Sequence, residues 1–132
     1  MTDIYLDENL SEHVAHALNF LNKGYFRDTQ VYSTKEKFGK GVPDETIIPG
    51  IGVVNGTLVT KDININRNRL QFLLCQKYNL GIFFIHLPKG MDKHWEIVRT
   101  LINHWEEMVS KVQNEKRPFA YRVSMKGRME KL

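Results

Sequence analysis

The chain has one cysteine, only four prolines, and no apolar run that approaches the ~20 residues needed to span a membrane as a helix. A lone thiol, Cys75, cannot close an internal disulfide. A disulfide-stapled scaffold is thereby excluded, and a reducing compartment is expected. Its neighbours Phe72-Leu73-Leu74 are apolar, which predicts a buried, inert thiol. Met1-Thr2-Asp3-Ile4 has neither the basic region nor the cleavage site of a signal peptide, so the cytoplasm is the expected location. Repeats and low-complexity tracts are absent as well. What is present is an ordinary globular composition, 42% hydrophobic and 26% charged over 132 residues. That length predicts one domain, able to bury roughly two-thirds of its unfolded surface.

The net charge of +4 is unevenly placed. Residues 116–132 hold six basic side chains (Lys116, Arg117, Arg122, Lys126, Arg128 and Lys131) against Glu130 alone, and the remainder is nearly balanced. A basic segment attached to a balanced domain is a candidate phosphate-binding element; the ordinary alternative is a solvated terminus.

Strand-like and helix-like segments alternate along the chain. Residues 3–6 are a short apolar run, and Asn9 or Ser11 can cap a helix on which Leu10, Val14, Ala17, Leu18 and Leu21 recur at helical spacing until Gly24. Gln30-Val31-Tyr32 predicts a second strand, and Ser33 to Gly41, with Lys35, Lys37 and Lys40, an exposed basic loop. Pro43 suits a first helical turn, as do Asp44 and Glu45, because the helix dipole favours negative charge there; Pro49 predicts a short or bent helix. Thr57 to Thr60 is a third strand. A helix over 66–78 follows, with Leu70, Leu73 and Leu74 on one side, and then the almost wholly apolar strand Gly81-Ile82-Phe83-Phe84-Ile85. The longest helix is expected over 92–113, where Trp95, Val98, Leu101, Ile102, Trp105, Val109 and Val112 form a core stripe. Phe119 to Val123 alternates as an edge strand would.

This alternation, with short connections, implies an α/β fold: a single-domain three-layer sandwich with a mainly parallel sheet of four or five strands. In open parallel sheets functional residues gather at the carboxyl ends of the strands. Ile4-Tyr5-Leu6 ends on Asp7-Glu8-Asn9, and Leu58-Val59-Thr60-Lys61 ends on Asp62. Each acid taken singly has an ordinary reading: a cap or turn residue for Asp7, a dipole partner for Asp44, a turn opener for Asp62. Two acids at two strand ends, with a third at a helix start, favour a cation site. Clustered carboxylates repel unless a cation neutralises them, and hard oxygen ligands select Mg²⁺ or Mn²⁺. Such an ion can activate water for phosphodiester hydrolysis, and neighbouring basic groups would hold a nucleic-acid backbone. Lys61, Arg67 and Arg69 surround the third-strand acid, and with Asn9 they are the candidate substrate contacts. His13 and His16 lie three apart, but no cysteine or further histidine completes a zinc set. His86 ends the fourth strand near the acidic edge; His94 and His104 are expected at the surface or core edge of the long helix.

Tyr5-Leu6-Asp7-Glu8-Asn9-Leu10, then Val42-Pro43-Asp44-Glu45, then Leu58-Val59-Thr60-Lys61-Asp62 resemble the PIN-like family, small relatives of PIN-domain ribonucleases, many of them VapC-type toxins. Arg117-Pro118-Phe119-Ala120-Tyr121-Arg122-Val123 resembles one branch of that family. The resemblance implies a Mg²⁺- or Mn²⁺-dependent ribonuclease with Asp7, Asp44 and Asp62 as catalytic, metal-binding acids. It implies an RNA substrate, a cognate antitoxin as protein partner, and room for a homodimer. Full PIN domains usually add a helix glutamate between the first two acids; here that region offers Glu36 alone, and proximity makes Glu8 and Glu45 further candidate metal ligands. The alternative reading is a PIN-like module, catalytically weak or inactive, that binds RNA or a protein; a small phosphatase-like hydrolase is the third.

Overall fold

The fold is seen in a computed structural model that describes residues 2–132. Its elements run β1 (Thr2–Leu6), α1 (Glu12–Asn22), β2 (Thr29–Ser33), α2 (Thr34–Phe38), α3 (Asp44–Val53), β3 (Thr57–Lys61), α4 (Ile65–Tyr78), β4 (Gly81–His86), α5 (His94–Asn114), β5 (Phe119–Ser124) and β6 (Glu130–Lys131). One six-stranded sheet has the order β2-β1-β3-β4-β5-β6, parallel throughout except for β6. The α/β three-layer sandwich is as expected, with one more strand than the sequence suggested.

Successive residues of a strand face opposite sides of a sheet, and the two cores follow that alternation. Ile4, Leu6, Val59, Phe83, Ile85, Phe119, Tyr121 and Val123 pack beneath α1 and α5. Tyr5, Leu58, Ile82, Phe84 and Ala120 pack beneath α3 and α4. Central strands covered on both faces must be apolar on both, which is why β4 reads as a continuous hydrophobic run.

Several local expectations are corrected. The lysine-rich stretch after β2 is not all loop, since Thr34–Phe38 forms α2. Pro43 caps α3 from outside, and Pro49 lies inside that ten-residue helix without ending it. β5 is not the sheet edge: it lies between β4 and β6, so part of the basic C-terminal segment is built into the sheet. There Arg117 donates from Nη1 to the Gly56 carbonyl (2.7 Å) and from Nη2 to Thr57 Oγ1 (2.8 Å), a structural use of a cation expected to meet phosphate. Trp105 is core and donates to Asn22 Oδ1 at 2.8 Å, whereas Trp95 and Ile102 are exposed rather than packed. His104 is buried and bonded to the Ser124 carbonyl. α4 buries Gln71 and Cys75, packs Leu74 against the core and leaves Leu70 and Leu73 exposed, a partial reversal of the expected leucine face.

Candidate active site at the carboxyl ends of the strands

The reversal on α4 has a cause. On the face of the sheet it covers, the alternation that turns Tyr5, Leu58 and Phe84 towards α3 and α4 also turns Asp7, Thr60, Asp62, His86 and Arg122 the same way. The backbone continues the ladder to both acids: Asp7 N–H donates to the Val59 carbonyl and Asp62 N–H to the Ile85 carbonyl, each at 2.9 Å. A helix laid on this polar row must meet it with polar side chains, because a buried polar group without a partner is destabilising. Asn64 starts α4 by accepting the Arg67 N–H on its side chain, which sets Arg67, Asn68 and Gln71 over the row. Gln71 donates to Thr60 Oγ1 at 3.4 Å.

Asp7 is buried, with 3% of its side chain exposed. Its Oδ1 accepts the Glu8 N–H at 3.0 Å; its Oδ2 accepts from Thr60 Oγ1 at 2.9 Å and from Arg67 Nη2 at 2.6 Å. The same guanidinium reaches across to Asp44, Nε to Oδ2 3.6 Å. Two carboxylates from β1 and α3 thus share one cation. Asp62 stands in a separate cluster: Asn68 Nδ2 donates to Oδ1, His86 Nδ1 lies 3.0 Å from Oδ2, and Arg122 Nε lies 3.7 Å from Oδ2.

Burial pushes the Asp44 carboxyl above its ordinary value; the charges of Asp7 and Glu45 add to this, and Arg67 opposes it. A carboxyl with a raised folded-state pKa binds its proton more tightly in the native protein. Its contribution to stability is therefore present below the ordinary 3.8 and lost as pH rises through the raised value. Asp44→Asn is accordingly expected to gain in melting temperature relative to the native chain as pH rises from the ordinary 3.8 through the raised value in metal-free buffer. A variant that falls further behind over that range would mean that the Arg67 contact outweighs the burial penalty. Cys75, on the buried side of α4, has its thiol pushed up to about 12, chiefly by burial and secondarily by Asp44, so it is the inert thiol expected.

The other candidates fall out unequally. Glu8 is exposed and accepts the Gly41 N–H at 3.2 Å, and Glu45 is exposed in the first turn of α3. Lys61 pairs with Asp92 at 2.9 Å. Both polar atoms of the Asn9 side chain are buried without a partner, and Arg69 is exposed on α4. Glu36 is held by His16 at 2.7 Å, away from the acids. Among the described residues no three acids, histidines or cysteines form a metal cage. The donor set nevertheless suits a hard divalent ion: Arg67 shows that Asp7 and Asp44 already converge on one cation, and Mg²⁺ is usually held by one or two carboxylates plus waters and substrate phosphates. Thr60, Asn68, Gln71 and Arg122 were not foreseen as parts of this site. Nothing in the local sequence marks them, since sheet register brings Thr60 and Arg122 to the acids and the packing of α4 brings Asn68 and Gln71.

No curated protein and no solved structure gives a significant match. The family described as PIN like domain matches residues 2–87, the stretch from β1 through β4 that carries Asp7, Asp44, Asp62, Arg67 and His86. With well over half of the chain covered by that match, the protein belongs to the PIN-like domain family.

Proposed function

We propose that the chain is a Mg²⁺- or Mn²⁺-dependent endoribonuclease of the cytoplasm and the toxin of a VapBC-type toxin–antitoxin pair. The observation that carries this reading is the convergence of Asp7 and Asp44 on one cation, with Asp62 in a separate cluster at the end of the adjacent strand β3. Asp7 and Asp44 would hold the ion, with Asp62 as the third acid of the site and Glu8 and Glu45 adding negative potential. When bound, the ion would supply the charge that activates water and stabilises the leaving oxygen of a phosphodiester. The chain's own groups do the rest. Thr60 and the Glu8 N–H fix the Asp7 carboxylate; Asn68 and His86 fix Asp62. Arg69 and Arg122 would serve as phosphate contacts, whereas Lys61 is committed to Asp92 and Arg67 to Asp7 and Asp44. An antitoxin would find apolar surface between α1 and α5, where Leu21, Tyr25, Trp95 and Ile102 are exposed.

Single-stranded RNA incubated with the protein and Mn²⁺ is expected to be cut, with activity abolished by EDTA and reduced roughly a hundredfold or more in Asp62→Asn. Undiminished cleavage in both conditions would sink the proposal. One observation favours a second reading, a PIN-like module that binds RNA or protein without cutting: Arg67 already neutralises Asp7 and Asp44. A chain that binds RNA, ignores Mn²⁺ in its melting temperature and cuts nothing would be that module.

A further inference from the structure

Beside Asp62, on the side away from Asp7, lies a cavity of about 200 Å3 lined by Asp62, Ile65, Asn68, Arg69, Phe72, Phe84, Arg122 and Leu132. Phe84 and Arg122, paired in register on β4 and β5, form its floor. α4 supplies one wall through Phe72, Asn68 and Ile65. The cavity is thus flanked by aromatic and aliphatic surface and opens at an acid of the proposed site.

Two of its lining residues carry buried polar atoms without partners, Nε of Arg122 and Oδ1 of Asn68. Their orientations are set by neighbours. Asn68 gives its amide N–H to Asp62, which leaves Oδ1 as a spare acceptor. Arg122 directs Nη1 to Glu130 at 3.4 Å, and its Nε, 3.7 Å from Asp62, is beyond a hydrogen bond and remains a spare donor. The ring of Phe72, the guanidinium groups of Arg69 and Arg122 and the carboxylate of Asp62 around one cavity suit a flat, apolar-faced ligand with polar edges, carried on an anionic backbone. A nucleobase is that ligand. Single-stranded RNA offers such bases splayed from the backbone, and proteins take them up by stacking and edge hydrogen bonds.

We propose that the Phe72–Phe84–Arg122 cavity is a nucleobase subsite, which takes one unpaired base of an RNA strand and sets the neighbouring phosphate against Asp62. This deepens the ribonuclease reading and rests on it for the identity of the polymer. Arg69, exposed at the cavity, is then placed for the backbone of the same nucleotide. Duplex RNA, whose bases are stacked and paired, cannot offer a base to the cavity.

The test is equilibrium binding in EDTA, where cleavage plays no part, of a short fluorescein-labelled single-stranded RNA and of the same sequence as a duplex. The native chain is expected to bind the single strand more tightly. Phe72→Leu, which keeps bulk and loses the ring, and Ile65→Glu, at an exposed wall position, should each weaken single-strand binding about tenfold and leave duplex binding unchanged. Equal losses on both RNAs, no loss on either, or no preference for the single strand would each overturn the subsite. Failure of the ribonuclease reading looks different: the single-strand preference and its loss in the variants persist, while the native chain cuts nothing in Mn²⁺.

Discussion

In metal-free buffer Arg67→Met is expected to melt about 10 °C below the native protein, a loss of about 3 kcal/mol. The guanidinium is the charge that Asp7 and Asp44 share, 2.6 Å from one carboxylate and 3.6 Å from the other. Removing one partner of a buried ion pair leaves an uncompensated charge, and here two would face each other. Proton uptake by Asp44, already inclined to hold its proton, would soften the loss without cancelling it. The same variant should respond to Mn²⁺ more strongly than the native chain, because the ion no longer competes with a resident cation. An ion at a hundred times its Kd restores about 2.7 kcal/mol. Thermal melts with and without Mn²⁺ read both effects. A variant that melts with the native protein and is indifferent to Mn²⁺ would show that the two acids do not form one cation position.

The second large effect is expected at Asp7. Asn in its place keeps the shape and replaces one acceptor oxygen with a donor. Thr60 Oγ1 and Arg67 Nη2 both donate to Oδ2, so the new N–H₂ either faces two donors or, turned over, faces the Glu8 N–H. Each orientation strands at least one buried donor, and Arg67 loses its better counter-charge. Asp7→Asn is expected to be less stable by about 2–4 kcal/mol and, on the proposed reading, to cut RNA at least a hundredfold more slowly. Asp62→Asn separates the two effects. Asn68 can turn its amide over, and His86 and Arg122 reach solvent, so its stability should change little while cleavage falls. Equal loss of stability in the two variants would mean that the acids serve the fold alone.

The elements that were legible in the sequence are those whose pattern is local. β4 reads as a strand because both its faces are apolar, and Leu101, Trp105, Val109 and Val112 mark the buried side of α5. α4 was half legible. Its existence showed, but its buried face did not, because that face is chosen by the polar row Asp7–Thr60–Asp62 beneath it, and the sequence of α4 contains no trace of that row. β6 is two residues long and exists only as a partner of Arg122 and Tyr121. As candidates, the three acids were legible from their places at strand ends and a helix start. Their grouping was not: Arg67 looked like a free substrate contact, and only the fold shows that its charge is held by Asp7 and Asp44. Arg122 read as one charge of a basic tail until β5 paired with β4 and carried it to Asp62.

The extension of the backbone ladder through Asp7 and Asp62 bears on how freely the surroundings of these acids can be rebuilt. Their main chains are pinned by Val59 and Ile85, and the pinning does not depend on the segments that follow. Exposed positions of the turn after Asp7 and of the two residues between Asp62 and α4 can therefore be exchanged without moving the acids. Chains with this sheet can acquire new rims, and with them new partners and targets, through changes confined to surface turns. For an engineer, the exposed loop at 39–43 is the place to graft recognition, and the strands are the part to leave alone.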